Sequence, residues 1–208
     1  MEHTYWRRQT REKPLFPDVE WSKPERRDQA GKLLIVGGNK LGFSAVAESY
    51  QLSLETGAGQ VKVVVPDCLK GTIPSSLLDV SFGACTTSGG LSKEALPELR
   101  AASEWADATL LIGDAGRNAE TALLYEEFIR TYNKPLTVTR DAVDLVKNNP
   151  SLLVDRPNTL LVVSFAQLQK MIAGVYYPKI ITFNMQLMQL VETLHKFTVT
   201  YPCTLMTL

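Results

Sequence analysis

The tetrapeptide Gly37–Lys40, which reads Gly-Gly-Asn-Lys, is the first stretch of this chain that could do chemistry. It stands where an apolar run gives way to a helical pattern. Backbone N–H groups in such a loop can hold an anion at the helix N-terminus, so Gly38 and Asn39 are candidate anion-binding residues. The tetrapeptide matches neither the P-loop nor the GxGxxG fingerprint. A plain tight turn is the alternative that the pattern by itself favours.

A second loop, Gly113–Arg117, follows another apolar run and reads Gly-Asp-Ala-Gly-Arg. Its small residues would let a ligand approach the backbone closely. Asp114 could orient a hydroxyl group or a metal-bound water, and Arg117 could contact a phosphate. A turn held by a local contact between Asp114 and Arg117 is an equally supported alternative.

Asp141 and Ser164 each come directly after a predicted strand. Asp141 could act as a general base or as the N-cap of the next helix, and the N-cap role is preferred because it is the commoner one. Ser164 is likewise predicted to cap a helix. The loops that follow the strands contain no Ser-His-Asp, Cys-His or metal-binding constellation, so the sequence assigns neither a catalytic nucleophile nor a metal ligand.

Short apolar runs bounded by glycine, proline or polar residues predict the strands that position these loops. The clearest is Lys32–Val36, stopped by two glycines, and the next is Val61–Val65, closed by Pro66. The other predicted strands are Ala108–Ile112, Pro135–Thr139, Thr159–Val163 and Phe197–Tyr201, with a further strand within Leu77–Thr86.

Helical periodicity and capping residues place helices between these strands. Ser44 is the predicted N-cap of the first, which should bury Ala45, Val46 and Leu52 and end at a C-cap glycine, Gly57. The predicted helices are Ser44–Thr56, Ser92–Ala106, Asn118–Tyr132, Asp141–Val146, Ser164–Gly174 and Asn184–His195. The last is apolar on more than one side, which indicates either deep burial or an interface, and burial is preferred.

Strands that alternate with helices at this spacing predict an α/β fold, a doubly wound, mostly parallel sheet with helices on both faces. Ligands of such sheets bind at the carboxyl ends of the strands. The loops expected to carry function are therefore those that follow strands, at Gly37–Phe43, Gly113–Asn118, Thr139–Asp141 and Ser164–Gln167.

Composition and charge exclude several classes of protein. The formal net charge is zero, which argues against a nucleic-acid partner and against an anionic membrane surface. No apolar run approaches the ~20 residues that span a bilayer, and the N-terminus lacks the apolar core of a secretory signal. Cys68, Cys85 and Cys203 form no CxxC pair. We therefore expect reduced thiols in a cytoplasmic protein.

Residues 1–30 are predicted to form an N-terminal arm, and residues 31–208 a single α/β domain. In the arm, prolines interrupt every periodicity, while Trp6, Phe16, Val19 and Trp21 offer apolar anchors. Packing on the domain or across an oligomer interface is the preferred interpretation, and free disorder is the alternative.

The run from Gly31 to Asp67 resembles the opening of the ADP/ATP-dependent NAD(P)H-hydrate dehydratase family, in the ribokinase-like superfamily. Gly38-Asn39 stands at that family's Gly-Ser loop, Ser44-Ala45 at its Gly-Ala pair, and Gly57-Ala58-Gly59 matches its Gly-Ala-Gly. The resemblance implies a ribokinase-like fold. It also implies repair of NAD(P)H hydrate by loss of water, driven by ATP or ADP with Mg²⁺.

Later landmarks of the family are altered in this chain. Its Gly-Pro-Gly-Leu-Gly loop would correspond to Gly113–Gly116, and its Thr-Pro-His-Pro-Gly-Glu motif to Val162–Gln167, which puts Ser164 where the family has histidine. By resemblance, Ala45, Gly116 and Ser164 would contact the substrate, and Gly38, Asn39, Asp114 and Asp141 would form the nucleotide or anion loops.

The family's Gly-Thr-Gly-Asp motif, with its catalytic aspartate, has no counterpart before Leu208. We therefore expect a domain that lacks the C-terminal part of the family's fold and whose catalytic motifs are degenerate. Losing a general base or an anion hole costs about 10² to 10⁴ in rate each. The alternative function is a non-catalytic protein of the same fold that binds a small-molecule nucleotide or works as a homo-oligomer.

Overall fold

The computed structural model describes residues 4–74, 77 and 79–207. The first three residues of the predicted arm, Leu78 within the predicted Leu77–Thr86 strand region, and Leu208 lie outside the described residues.

A single parallel sheet of seven strands forms the centre of the described chain. Its strands are β1 Lys32–Gly37, β2 Gln60–Pro66, β3 Val80–Gly83, β4 Ala108–Gly113, β5 Leu136–Thr139, β6 Thr159–Val163 and β7 Thr204–Thr207. Their spatial order is β3-β2-β1-β4-β5-β6-β7. Every neighbouring pair is parallel, so each connection crosses over, as a doubly wound fold requires.

Helices make most of the connections between the strands. They are α1 Asp18–Trp21, α2 Ser44–Glu55, α3 Leu96–Trp105, α4 Ala119–Thr131, α5 Asp141–Leu145, α6 Ser151–Val154, α7 Phe165–Gly174 and α8 Leu187–Thr200. Three turns of 3-10 helix are added at Arg27–Gln29, Asp67–Leu69 and Lys93–Ala95. No helix in the described part of the chain is both long and apolar enough to span a bilayer.

Local capping explains where three of these helices begin or end. The Asn118 side chain accepts from the N–H of Glu120 at the start of α4, and Ser164 forms a capping box with Gln167 at the start of α7. At the end of α2, Gly57 has a φ of 108° and donates to Leu54, while Ala58 donates to Ser53. That pair of bonds is a Schellman motif, which confirms the predicted C-terminal glycine.

The apolar core divides between the two faces of the sheet because strand side chains alternate. One cluster joins Leu34, Val36 and Leu111 to the helices α3, α4, α5 and α7. The other joins Ile35, Val63 and Val65 to α2. Helices therefore cover both faces, as the sequence predicts.

Several sequence-based predictions about α2 and α8 are wrong. Phe197–Tyr201 was expected to be a strand, but Phe197 is fully buried against the rings of Tyr177 and Tyr201 within the last turns of α8. Tertiary packing here overrides β-propensity, and β7 follows as the edge strand. As a result His195 lies inside α8 and not at its C-terminus.

Leu52 is 57% exposed although it was predicted to be buried. The face of α2 that contacts the sheet runs through Val46 and Tyr50. Leu52 comes six residues after Val46, which rotates it about 240° around the helix axis and away from that face. Ser44 is the first residue of α2 and makes no side-chain cap, because a residue from another loop takes that role.

The last helix is not deeply buried, contrary to the preferred interpretation of its sequence. Leu187 is 63% and Met188 43% exposed, and α8 begins at Leu187, after Gln186, and not at Asn184. The N-terminal arm contacts this helix, because the ring of Tyr5 stacks on His195 with centroids 3.9 Å apart and planes at 5°. Phe16 and Trp21 of the arm are exposed.

Candidate functional site

The loops after β1 and β4 meet at the point where the strand order reverses. β1 pairs with β2 on one side and with β4 on the other, so successive crossovers diverge from this position. The N–H of Gly38 donates to the carbonyl of Gly113 at 2.9 Å. This is the crevice in which open α/β sheets bind ligands.

Asp114 occupies the N-terminus of α2. Its carboxylate accepts from the N–H of Ala45 at 2.8 Å and from the hydroxyl of Ser44 at 3.4 Å. The other oxygen pairs with the guanidinium of Arg140 at 3.2 Å. An anion at this helix terminus gains from the unsatisfied N–H groups and the macrodipole, so the position expected to hold a ligand's negative charge is filled by the chain's own carboxylate.

Asn39 fastens the loop after β1 to the loop after β4. Its amide nitrogen donates to the carbonyl of Asp114, and its amide oxygen accepts from the N–H of Leu41 at 2.7 Å. The N–H of Asn39 donates to Gly42 at 2.9 Å. Asn39 thus holds a tight turn and the adjacent Asp114 backbone, which agrees with the tight-turn alternative.

Asp141 accepts a hydrogen bond from the backbone of the loop after β4. Its Oδ2 receives the N–H of Gly116 at 3.2 Å. Asp141 is the first residue of α5, while Arg140 is the N-cap with a φ of 56°. The predicted N-cap role of Asp141 is therefore wrong, because its carboxylate reaches across to a neighbouring loop 25 residues away and not to the amides of its own helix.

The negative charge of Asp141 also faces a buried tyrosine. Burial, together with this charge, raises the pKa of Tyr125 well above its usual range, so the phenol stays neutral. Tyr125 is fully buried, and its hydroxyl has no hydrogen-bond partner among the described residues.

Ser164 serves the start of α7. Its hydroxyl accepts from the N–H of Gln167 at 3.3 Å, and the side chain of Gln167 accepts from the N–H of Ser164 at 3.0 Å. The amide nitrogen of Gln167 also donates to the carbonyl of Arg140 at 2.8 Å and to the carboxylate of Asp144 at 3.0 Å. The loops after β4, β5 and β6 are thereby joined into one hydrogen-bonded edge.

A polar pocket of about 330 Å³ opens beside this edge, between the loop after β4, the helix α5 and the helix α7. Gly116 and Asp141 line it together with the cations Arg117, Lys147 and Lys170. In the described structure none of the three cationic side chains has a hydrogen bond or an ion pair. The carboxylates of Asp141 and of Asp144, which also lines the pocket, are held by Gly116 and Gln167. The volume is within the range of small-molecule sites.

The structure divides the sequence-predicted residues into two groups. Gly38, Asn39, Ala45 and Asp114 lie together at the crevice, and Gly116 and Asp141 line the pocket. Ser164 lies at the neighbouring strand end but does not line the pocket.

Sequence reasoning missed Arg140, Gln167, Lys147 and Lys170. Arg140 and Gln167 lie within loops marked as functional, where a charged or amide side chain was a usable signal. Lys147 and Lys170 carry no local signal, since an exposed lysine in a helical region is ordinary. The proposed contact between Asp114 and Arg117 is replaced by the pair of Asp114 and Arg140.

Among residues 4–74, 77 and 79–207, no group of three or more histidine, cysteine, aspartate or glutamate side chains could hold a metal ion. The carboxylates nearest the crevice, Asp114 and Asp141, are each held by the chain's own donors.

We expect replacement of Asp114 by alanine to lower the free energy of unfolding by about 1–2 kcal/mol, the usual range for losing an N-terminal cap. The loss also leaves Arg140 without its carboxylate, which adds to the effect. Urea denaturation measures it, with Asp155→Ala as the control at an exposed aspartate. Equal stability of the two variants would contradict a capping role for Asp114.

Comparison with known proteins agrees with this architecture. No family model matches the chain. The structure is similar to that of a ribokinase-like superfamily protein from Enterococcus faecalis, with a TM-score of 0.68 and 14% sequence identity. The match covers 89% of this chain and 61% of that protein.

The fold is therefore ribokinase-like, as the sequence resemblance implies. An identity of 14% shows the fold alone, so membership of the dehydratase family stays a prediction. The chain spans only 61% of the length of that protein.

Proposed function

We propose that this protein binds a small phosphate-bearing molecule of the nucleotide type at the carboxyl edge of its sheet, without catalysing dehydration. The observation that carries the proposal is the pocket with three cations, Arg117, Lys147 and Lys170, none of them paired within the described chain. Its carboxylates Asp141 and Asp144 already accept hydrogen bonds from the protein. The three cations outnumber the two carboxylates, so the pocket favours an anion, and phosphate groups suit such clusters.

The crevice beside the pocket supports a binding role over a catalytic one. A phosphate placed at the N-terminus of α2 would meet the carboxylate of Asp114, which lies 2.8 Å from the N–H of Ala45. The phosphate and the carboxylate would then compete for the same N–H group, and two negative charges so close together repel strongly in a partly buried crevice. We therefore place the ligand's phosphate against the lysines and not against Gly38 and Ala45.

The groups that could perform proton transfer are engaged in holding the fold. Asp141 accepts from Gly116, and Ser164, which stands where the dehydratase family has histidine, caps α7. A general base must be free to reach its proton within about 2.6–3.2 Å. ATP or ADP with Mg²⁺, and hydrated NAD(P)H, remain the ligands that the resemblance suggests, and any Mg²⁺ would come with the nucleotide.

The test is a titration of the whole chain with ADP, ATP, NADH and NADPH. Binding is measured by calorimetry and by the shift in melting temperature. We expect ADP or ATP to raise the melting temperature at millimolar concentration. The double variant Lys147→Gln/Lys170→Gln should bind about tenfold more weakly, because it loses two contacts to exposed lysines, each worth about 0.2–1 kcal/mol.

The matched control is Lys179→Gln, which removes an exposed lysine outside the pocket. It should bind as the unmodified protein does. The absence of stabilisation by any of the four nucleotides, or equal weakening by both changes, would overturn the proposal. Consumption of hydrated NADH on addition of ATP or ADP would instead establish the dehydratase activity.

A further inference from the structure

Two of the three cysteines come together where β2 and β3 end. These strands pair in parallel, and their last paired residues are Pro66 and Gly83. Cys68, within the 3-10 turn Asp67–Leu69, and Cys85 each lie two residues further on, where the chain leaves these neighbouring strand ends.

Hydrogen bonds place Cys68 against the turn that begins at Cys85. The Cys68 thiol donates to the carbonyl of Gly89 at 3.5 Å. Cys85 begins the turn that returns to Leu91, with which it forms a bridge, and this turn contains Gly89. The thiol of Cys85 hydrogen-bonds the carboxylate of Asp67 and lies against the thiol of Cys68.

The two thiols differ in exposure, and the pKa of Cys85 is raised. Cys68 is exposed, whereas Cys85 is half-buried. The hydrogen bond to Asp67, together with burial and the neighbouring Cys68, raises the pKa of Cys85 to about 11. Since the thiolate is the nucleophile, Cys68 is the thiol that meets a reagent first.

We propose that Cys68 and Cys85 form a reversible dithiol–disulfide pair, in which Cys68 reacts with a small disulfide from solution and Cys85 resolves the adduct. The proposal stands on the adjacent ends of β2 and β3 and on the contact of the Cys68 thiol with Gly89, within the turn that begins at Cys85. It is independent of nucleotide binding.

Each step balances with glutathione disulfide as the oxidant. The Cys68 thiolate attacks one glutathione sulfur, the S–S bond of the reagent breaks, and a first glutathione thiolate leaves. Cys85 then passes its proton to the carboxylate of Asp67, and from there to solvent, and attacks the sulfur of Cys68. The mixed disulfide breaks and a second glutathione leaves. The protein loses two electrons and one glutathione disulfide gains them.

The disulfide would act on the edge that carries the crevice. The carbonyl of Gly89, which accepts from Cys68, also accepts from the N–H of Lys40 at 2.9 Å. Lys40 belongs to the loop after β1 that holds Gly38 and Asn39. Oxidation therefore removes one donor from Gly89 and fastens the turn from Cys85 to Leu91 beside this loop.

The experiment treats the whole reduced chain with glutathione disulfide at neutral pH and follows it by thiol titration in denaturant and by peptide mapping. We expect two of the three thiols to disappear, with buried Cys203 unchanged. Trypsin cuts after Lys70, so the product should be a Cys68 peptide joined to a Cys85 peptide, separable by reduction. The Cys85→Ser variant should stop at the glutathione adduct on Cys68.

Two results would overturn the proposal. One is a stable glutathione adduct on Cys68 in the unmodified protein, with Cys85 still titrating as a free thiol. The other is a disulfide that joins Cys68 residues of two copies. Both are read from the unmodified chain, so the conclusion holds even if a serine variant does not fold. Cys203→Ala is the matched control and should form the same crosslink.

Discussion

Replacement of Gly113 by alanine is expected to lower the free energy of unfolding by about 3 kcal/mol, through backbone strain and a steric clash. Gly113 has a φ of 121°, which side-chain-bearing residues rarely adopt. A Cβ there would lie 2.2 Å from a carboxylate oxygen of Asp141 and 2.9 Å from the Cβ of Arg140. Relief requires moving Asp141 away from Gly116, so the pocket should be disturbed as well.

Urea denaturation followed by circular dichroism measures the loss. Gly42→Ala is the control, because a Cβ at Gly42 meets nothing within 4 Å and its φ is not positive. That variant should remain within about 0.5 kcal/mol of the unmodified protein. If the two alanine variants are equally stable, the close packing of Gly113 against α5 is not as described.

Replacement of Arg156 by methionine is expected to cost about 3 kcal/mol, although this residue lies far from the candidate site. Its guanidinium donates to the carbonyl of Tyr132 at 3.0 and 2.7 Å, to the carbonyl of Lys134 and to the hydroxyl of Thr159 at 2.9 Å. It therefore ties the connection before β5 to the start of β6. Burial lowers the pKa of Arg156, but the group remains charged.

The contacts of Arg156 are a finding of the structure, and this prediction tests them. Thermal unfolding is the measurement, and Arg130→Met, at an exposed arginine in the last turn of α4, is the control. Methionine preserves most of the apolar stem, so the difference reports the guanidinium contacts. Arg156→Lys should recover little of the lost stability, because a single ammonium group cannot donate to all the carbonyls that the planar guanidinium contacts at once. Full recovery by lysine would show that charge alone matters.

These two residues lie at opposite ends of the sheet and have different consequences. Gly113 belongs to the carboxyl edge, where four consecutive strand ends carry the crevice and the pocket. Arg156 belongs to the amino edge, where its role is to hold loops together. Damage at Arg156 should lower stability and leave nucleotide affinity of the folded protein unchanged, whereas damage at Gly113 should affect both.

The local pattern of the sequence was enough to predict the architecture. The apolar runs at Lys32–Val36 and Val61–Val65 became β1 and β2, and the structure confirms the caps at Asn118 and Ser164 and the glycine at the end of α2. Each of these depends on residues within a few positions of one another, where periodicity and backbone preference act directly. Because the strands are parallel, the loops that the sequence analysis expected to carry function lie at one edge of the sheet.

Pattern failed where distant packing outweighs local preference. The β-branched and aromatic run Phe197–Tyr201 has strand propensity, yet contacts with Tyr177 make it helical. Ser44 has the right type for an N-cap, but Asp114, 69 residues from Ala45, supplies the acceptor. No local rule contains the information that two loops so far apart in sequence meet.

The sequence by itself determined a doubly wound α/β fold and the loops in which a ligand should be sought. Only the tertiary structure decided how those loops are used. Asp114 accepts from an N–H group at the start of α2, Asp141 from one in the loop after β4, and Lys147 and Lys170 share a pocket. It also brought Cys68 to the turn that begins at Cys85. The physical reason is that the alternation of buried and exposed residues is a local property of the sequence. The partner of a polar group instead depends on which strand ends lie side by side in the sheet.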